Sequence, residues 1–429
     1  MADFPIAGNS LVMPVPADRS VIARGHDRCL LSRFLLWLSP WALLVGIGMY
    51  ATYLCLRYGL NQTNMDNRFA FGLWIFVDLS IIALGAGAFF TGFLLYILKI
   101  RELKAVINAG VIMGFLCYSG AVIALVIDVG QPLRAWFTFW HPNVHSMLTE
   151  VTFCITCYLL VLTVEYIPVV LKNRKLKQVP SCFVFEWELH KLMPVLAGVG
   201  TLLSFFHQGS LGGLYGVLRG RPFAYRAGFA IWPSTFFLFI VSAIAAGPVF
   251  LLLIITLVEK LTGKRLVKAQ VKQKLGQISG VLLVVYVALK SLDTLIWLND
   301  TSRQMGFLPW EYYSWKPFGF WILLAEIVLF GFIPAMLLVW QRSRSHMPAL
   351  LTASALACCG VVLNRFVLTI QTLALPTLAF DEFLRYVPSW QEIAVFGGVV
   401  GYAVIVFSIS YRYLPLFPQE KELNHVSRS

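Results

Sequence analysis

Ten apolar stretches dominate this chain, and each is long enough to cross the hydrocarbon core of a membrane. A core of ~30 Å and a helical rise of ~1.5 Å per residue require about 20 apolar residues. The stretches lie at residues 34–58, 70–98, 104–127, 144–171, 191–218, 231–259, 276–298, 317–341, 347–371 and 390–412. Because lipid cannot hydrogen-bond the backbone, each span must be helical. The chain is therefore predicted to be all-α, a polytopic transmembrane helix bundle of about ten spans.

The composition excludes an ordinary soluble fold. Of the 429 residues, 59% are hydrophobic and 13% are charged, which is about half the charged fraction of a typical soluble domain. The net charge of +13 would suit nucleic-acid binding, but the basic residues form short clusters between the apolar stretches. Membrane topology explains that distribution better than phosphate binding does. We expect lipid, and no nucleic acid, among the partners of this chain.

The distribution of basic residues predicts the orientation of the chain. Most of the 34 Lys and Arg residues lie at the two termini and in every second loop. Such loops remain in the cytoplasm, so both termini are predicted to be cytoplasmic. The predicted organisation is an N-terminal segment at 1–33, a transmembrane domain at 34–412 and a C-terminal tail at 413–429. Segment 1–33 lacks the apolar core of a cleavable signal peptide, so the first span is expected to serve as an uncleaved insertion signal.

Ionisable residues inside the apolar stretches are the first candidates for function. A charge in hydrocarbon costs roughly 2.5–3.5 kcal/mol even on the lenient insertion scale, so it usually has a partner or a task. The predicted orientation places four of them in the outer half of the membrane or at its outer edge: Asp78, His145, His207 and Arg365. We therefore predict a polar pocket between helices near the outer face. The alternative is that these groups only hydrogen-bond one another.

The segment that begins at His207 favours a binding role. It reads His-Gln-Gly-Ser-Leu-Gly-Gly over residues 207–213. Its polar side chains alternate with glycines, which allow another backbone or a flat ligand to approach closely. Gln208 and Ser210 therefore join the candidate site.

Five further polar residues are predicted to support the site or to carry protons: Asp128, Arg134, Glu150, Lys290 and Asp293. The first two flank the turn after the third span and could equally pin that turn. Lys290 and Asp293 are three residues apart on one helix face, where a self-neutralising pair is the simpler interpretation. Glu150 is separated from Glu165 by about 22 Å along one helix. Proton transfer over that gap would need waters or other side chains.

The sequence carries no signature of a resident cofactor. It has no CxxCH motif, no Walker A motif and no GxGxxG after a strand. Its eight cysteines are scattered, without the spacing of a disulfide framework or a metal site. We expect no metal, haem or iron–sulfur cluster in this chain, with a haem between His145 and His207 as the open alternative.

Several motifs, taken in order, resemble the NrfD/polysulfide reductase family of membrane subunits. Residues 128–134 resemble the D-x-G-x-P-x-R turn of that family, and other segments resemble its longer, HybB-like (hydrogenase-2-type) branch. Those segments lie at 74–88, 143–150, 207–212, 364–366 and 388–392. The resemblance covers about residues 35–415. Gly209 departs from the pattern, because the family motif often has a serine there, and this departure puts a role for that position in doubt.

The resemblance implies a function as well as a fold. It implies a ten-helix subunit of the bacterial cytoplasmic (inner) membrane that exchanges electrons with menaquinone, a quinone, and is not catalytic alone. It also implies two kinds of partner, an iron–sulfur subunit on the periplasmic face and a catalytic or cytochrome subunit. Carried over by residue, Asp78, His145 and His207 would line the quinone head-group site, with Arg365 and Arg134 nearby.

Two other functions compete with this expectation. A secondary transporter would have midplane sites and internal repeats, whereas the polar residues here gather near one face and no clear repeat is seen. A purely structural membrane anchor would use its polar groups only to satisfy one another. The electron donor or acceptor, the direction of electron flow and proton pumping stay open.

Overall fold

A computed structural model describes residues 29–172, 176, 180–228, 232–306, 321–374 and 384–417. Every regular element within these ranges is a helix, so the all-α prediction is confirmed. Most of the predicted terminal segments, 1–33 and 413–429, lies outside the described residues. Their cytoplasmic location therefore stays a prediction.

Ten helices follow the ten predicted spans. They are α1 (Leu31–Tyr58), α2 (Leu73–Tyr96), α3 (Ile107–Asp128), α4 (Met147–Leu171), α5 (Pro180–Gly216), α6 (Ser234–Thr262), α7 (Ala269–Ile296), α8 (Trp321–Leu324, Ala325–Phe332 and Ile333–Val339), α9 (Met347–Phe366) and α10 (Trp390–Tyr413). Within the described ranges, nine are long and apolar enough to cross a membrane, and α8 is shorter. The predicted start of the eighth span at residue 317 lies outside those ranges. These helices support the prediction of a multi-pass membrane protein.

Eight of the helices form two four-helix bundles. Helices α2 to α5 pack around one another as the first bundle, and α6 to α9 form the second. Helix α6 packs against α2 and α5 and so joins the two bundles along a seam. Helices α1 and α10 form a peripheral pair beside α3. Most large side chains of α1 are exposed, as expected for a surface that faces lipid.

Glycines bring the two bundles into backbone contact at the seam. A Cβ atom on Gly247 of α6 would lie 1.9 Å from the carbonyl carbon of Gly87 on α2. A Cβ on Gly85 would lie 2.3 Å from the Cβ of Cys117 on α3. The small-residue face of α2 is therefore a packing surface, and side chains at these positions would force the helices apart.

A buried carboxylate ties the beginning of α2 to the beginning of α10. Ser389 and Glu392 form a capping box, in which the Glu392 carboxylate accepts the backbone N–H of Ser389 at 2.8 Å. The same carboxylate accepts the backbone N–H of Asn64 at 3.1 Å and the Tyr386 hydroxyl. The Trp74 indole N–H donates to the Glu392 carbonyl oxygen at 3.1 Å. This latch fixes the first turn of α2, the helix that carries Asp78.

Candidate functional site

A cluster of buried polar side chains lies in the first bundle, toward the end where α2 begins and α3 ends, which we call the outer end. Its members are Asp78 on α2, Tyr118 on α3, Tyr158 on α4, and His207 and Gln208 on α5, and we call them the histidine cluster. None of the five is more than 3% exposed. All four helices of the bundle therefore contribute to one site.

Tyr118 stands at the centre of the histidine cluster. Its ring centroid lies 4.3 Å from that of Tyr158 and 5.7 Å from that of His207. Its hydroxyl is 3.3 Å from the Ser204 hydroxyl. Asp78 is close enough to interact electrostatically with the Tyr118 phenol. Tyr118 therefore interacts with both Asp78 and His207, two residues that the sequence predicted for the site.

The polar atoms of the histidine cluster are largely unpaired. Both ring nitrogens of His207, both polar side-chain atoms of Gln208, the Tyr158 hydroxyl and one Asp78 oxygen are buried without a hydrogen bond of normal geometry from the described residues. The His207 ring faces the backbone of Val151 on α4, outside that geometry. A buried polar group without a partner costs about 1–3 kcal/mol. Several such groups in one place indicate a ligand or waters that complete their hydrogen bonds.

The cluster extends toward the outer end through Asp128 and Tyr215. Asp128 is the half-buried last residue of α3, and one of its carboxylate oxygens is buried without a partner from the described residues. The buried Tyr215 of α5 interacts electrostatically with both Asp78 and Asp128. The predicted supporting residue Asp128 therefore belongs to the rim of the site.

Three predicted residues lie away from this buried environment. His145 and Arg134 are exposed in the segment between α3 and α4, and Glu150 is half-buried in the first turn of α4. The backbone N–H of His145 donates to the Asn143 side-chain oxygen at 3.0 Å. That His145 lines a head-group site, with Arg134 nearby as a supporting residue, stays a prediction.

The glycines and the serine after His207 serve the helix itself. The Ser210 hydroxyl donates to the Phe206 carbonyl oxygen one turn earlier, at 2.7 Å. A Cβ on Gly209 would lie 2.4 Å from the Phe236 ring, and one on Gly212 would lie 2.3 Å from the Thr235 carbonyl oxygen. These glycines therefore allow helix α6 to approach α5 closely. Of the two possibilities given by the sequence, another backbone or a flat ligand, the structure shows another backbone at these two positions.

The second bundle contains a different set of buried polar side chains, which form ion pairs and hydrogen bonds with one another. The Lys290 ammonium pairs with Glu326 at 3.0 Å, and the same Glu326 oxygen accepts the Asn364 amide at 2.7 Å. The Asn364 oxygen accepts a guanidinium N–H of Arg365 at 2.7 Å, and the Ser242 hydroxyl accepts another at 2.9 Å. We call these five residues the charge network. It crosses all four helices of the second bundle.

The predicted self-neutralising pair of Lys290 and Asp293 is wrong. The two Asp293 carboxylate oxygens accept hydrogen bonds from Nε and Nη2 of Arg226, each at 2.9 Å, and the carboxylate also accepts the Ser234 hydroxyl. Lys290 pairs with Glu326 instead. The planar guanidinium offers two parallel hydrogen bonds to the carboxylate, which an ammonium three residues away on the same helix cannot match.

Arg365 is fully buried within the second bundle. Its guanidinium carbon lies 3.5 Å from the centroid of the Phe239 ring, and one N–H reaches the Phe239 carbonyl oxygen at 3.3 Å. Its partners therefore belong to the second bundle, and the predicted binding of a quinone by Arg365 stays a prediction.

Several functional candidates were not prominent in the sequence. Tyr118, Tyr158 and Tyr215 lie in apolar stretches, where tyrosine usually serves as core. For two of them the sequence does offer a signal, which is their depth in the membrane. The predicted spans place Tyr118 and Tyr215 in the same half of the membrane as His207. Glu165 is 4% exposed on α4, beside a small cavity at the other end of the first bundle. It is close enough to interact electrostatically with Tyr158.

Comparison with known proteins shows similarity along nearly the whole chain. The sequence profile of the family described as polysulphide reductase, NrfD, matches residues 61–376. The integral membrane subunit of menaquinone reductase from Nitratidesulfovibrio vulgaris is 50% identical over 411 residues, which cover 96% of this chain and 98% of that protein.

More distant relatives belong to other oxidoreductases. A probable Ni/Fe-hydrogenase 2 b-type cytochrome subunit of Escherichia coli is 26% identical, over 86% of this chain and 89% of that protein. A selenate reductase subunit of Mesobacillus selenatarsenatis is 22% identical, over 88% of this chain and 93% of that protein. The enzymes named for these relatives differ, whereas the similarity extends along nearly the whole of each chain.

Proposed function

Because the chain belongs to the NrfD (polysulphide reductase) family, we propose that it is the quinone-reactive membrane subunit of a respiratory oxidoreductase complex. It exchanges electrons between an iron–sulfur partner at the outer, periplasmic face and menaquinone in the bacterial inner membrane. The observation that carries this proposal is the histidine cluster, whose unpaired buried donors and acceptors lie inside one bundle. A relative that is 50% identical and is named a menaquinone reductase subunit supports the choice of quinone.

The residues of the histidine cluster fit a quinone head group. A quinone presents two carbonyl oxygens that need hydrogen-bond donors, and the His207 ring and the Gln208 amide have unused donors. Tyr118 and Tyr158 offer flat aromatic surfaces beside them. When bound, menaquinone supplies the two-electron chemistry. This chain supplies the donors and an environment closed to water.

His207 and Asp78 are suited to proton transfer at the head group. The two ring nitrogens of histidine can donate or accept a hydrogen bond, which allows the ring to give a proton to a quinone oxygen or to take one from it. A nearby carboxyl group can orient the imidazole or pass protons onward. Asp78 interacts with Tyr118, which contacts His207, so carboxyl, phenol and imidazole form a continuous group.

Tyr158 offers a bridge for protons along the first bundle. The gap between Glu150 and Glu165 is too long for direct transfer, and Tyr158 lies between them on α4. Its ring contacts Tyr118, and it interacts electrostatically with Glu165. We propose that Glu165 and Tyr158 take part in proton exchange with the site.

The proposal is tested by substitution of His207→Gln and Asp78→Asn in the intact complex. We expect a loss of menaquinone-analogue turnover of at least about 100-fold, the usual effect of removing a proton-transferring side chain. Assembly and the partner's reaction with a soluble artificial dye should be unchanged. The matched control is His346→Gln, because His346 is an exposed histidine before α9 at the other end of the second bundle. Normal quinone turnover in both variants would refute the proposal.

A further inference from the structure

The buried charges of the second bundle do not balance. Over the described residues of its outer end and the loop that leads into it, the buried cations are Arg226, Lys290 and Arg365, and the buried carboxylates are Asp293 and Glu326. Arg226 is ion-paired with Asp293, and Lys290 with Glu326. The direct partners of Arg365 are an amide, a hydroxyl, a carbonyl and an aromatic ring. Glu326 also interacts electrostatically with Arg365, so these described residues carry one net positive charge that Lys290 and Arg365 share.

Such a charge is costly to keep. Arg365 has no exposed surface, and its Nε–H has no hydrogen-bond partner among the described residues. A buried cation without a direct counter-ion is destabilising unless something nearby offsets it. The offsetting group must lie beyond the immediate shell of neutral partners.

The helix contacts place Arg365 at the depth of Asp78. Phe366, the next residue, meets Phe76 of α2 with ring centroids 5.7 Å apart. One turn deeper, Val361 belongs to the same buried apolar cluster as Ala83 of α2. Arg365 therefore lies level with about residues 77–78 of α2, close to Asp78 in depth. The two charges are separated by about the width of one helix, roughly 10–12 Å.

Phe239 forms a second connection to the histidine cluster. Arg365 lies over one face of its ring, and a Cβ on Gly212 would lie 2.8 Å from the same ring. Gly212 is five residues after His207 on α5. The guanidinium is thus separated from the helix that carries His207 by one aromatic ring, which screens a charge far less than water does.

From these contacts we propose that Arg365 is the counter-charge of the histidine cluster. It touches no head-group atom, and its field favours negative charge on a bound head group and on Asp78. This inference rests on the proposed quinone site. Two unit charges about 12 Å apart at an effective dielectric constant of about 20 interact strongly enough to change an equilibrium constant about tenfold. An effect of that size is expected when the charge is removed.

The test compares two probes that differ in charge on the purified complex. Menadione is neutral, and 2-hydroxy-1,4-naphthoquinone is an anion at neutral pH. Arg365→Gln should weaken binding of the anion about tenfold and change menadione binding less than about twofold. Arg365→Lys should retain the preference for the anion, because it retains the charge. Ser242→Ala is the matched control, because it removes a hydrogen bond of Arg365 without changing any charge.

Glu326→Gln changes the electric field at the proposed quinone site in the direction opposite to Arg365→Gln. It removes a negative charge and leaves Lys290 uncompensated, so binding of the anion should strengthen while menadione is unaffected. This variant decides the matter if Arg365→Gln does not assemble. Equal changes for both probes in these variants, or no change for either, would overturn the inference. Failure of both probes to bind the unaltered complex would instead refute the proposed quinone site, and the inference with it.

Discussion

The two bundles treat buried polar groups in opposite ways. In the second bundle, Asp293 and Glu326 each contact a cation, and Asn364 and Ser242 accept hydrogen bonds from the Arg365 guanidinium. In the first bundle, His207, Gln208, Tyr158 and Asp78 are equally buried and carry atoms without a hydrogen bond of normal geometry among the described residues. Paired groups stabilise a fold, whereas unpaired groups cost stability and are retained where they bind a ligand. The difference favours a stabilising role for the ion pairs of the second bundle, and it is the reason for placing the proposed quinone chemistry in the first.

The largest expected effect comes from breaking an ion pair of the second bundle. Asp293→Ala would leave the Arg226 guanidinium buried without its counter-ion, which costs about 3–5 kcal/mol. We expect a large fall in the melting temperature of the purified complex in detergent. Asp78→Asn in the first bundle should change it little, because Asp78 forms no ion pair there.

A double variant shows whether the lost stability comes from the unpaired Arg226 charge or from the loss of side-chain packing. Arg226→Met combined with Asp293→Leu replaces the pair by apolar side chains and should recover most of the lost stability. If Asp78→Asn were as destabilising as Asp293→Ala, the contrast between the bundles would not hold.

The second expected effect concerns the seam between the bundles. Gly247→Ala would place a methyl group 1.9 Å from the backbone of Gly87, and overpacking of this kind costs about 3 kcal/mol. We expect a lower melting temperature and weaker quinone binding, because α2 carries Asp78. The control is Gly198→Ala on α5, where the added methyl group would meet no atom within 4 Å. Equal stability of the two variants would show that the bundles do not depend on close contact.

The third comparison removes one hydroxyl from each bundle. Ser242→Ala deletes a partner of the Arg365 guanidinium and should cost about 2 kcal/mol, as for hydrogen bonds to charged groups. Tyr158→Phe deletes a hydroxyl that has no hydrogen bond of normal geometry among the described residues, although the Ser204 side chain is near it. It should leave the melting temperature unchanged and slow quinone turnover in the intact complex. A clear loss of stability in Tyr158→Phe would mean that this hydroxyl is paired after all.

The fold was largely predictable from the sequence, because membrane spans have a simple length and composition rule. The helix boundaries differ from the predicted spans by a few residues, except that α5 begins at Pro180 rather than at residue 191 and α7 begins at Ala269 rather than at residue 276. Residues 180–190 include charged side chains, and a helix continues past the membrane surface without any change in its backbone hydrogen bonds. Hydropathy locates the apolar part of a helix and does not locate its end.

The site was predictable in part. Depth in the membrane placed Asp78 and His207 at a similar level, and they lie on two helices that pack as neighbours. Depth alone could not distinguish Arg365 from Asp78 and His207. Arg365 lies at a similar level in the membrane but in the other bundle, where it stacks on the Phe239 ring. The partner of Asp293 was missed because Arg226 lies in a loop, and pairing across a loop leaves no periodic signal in the sequence. Which helices adjoin is a property of packing that one sequence does not show.

The smallest expected effect lies outside the spans, at the latch of Glu392. Burial, with the hydrogen bond to Glu392, raises the pKa of the Tyr386 phenol above its ordinary value. A group whose pKa is raised on folding contributes stability below its unfolded pKa, about 10 for tyrosine, and loses it only above that pH. Tyr386→Phe should therefore cost about 1.5 kcal/mol, the lower end of the range for a hydrogen bond to a charged group, and this cost should be constant from about pH 6 to 9. Thermal unfolding of both proteins across that range measures it. A cost that vanished within this range would show that the Tyr386 hydroxyl is not a paired donor. The Tyr386 hydroxyl would then be an unpaired buried group, like those of the histidine cluster.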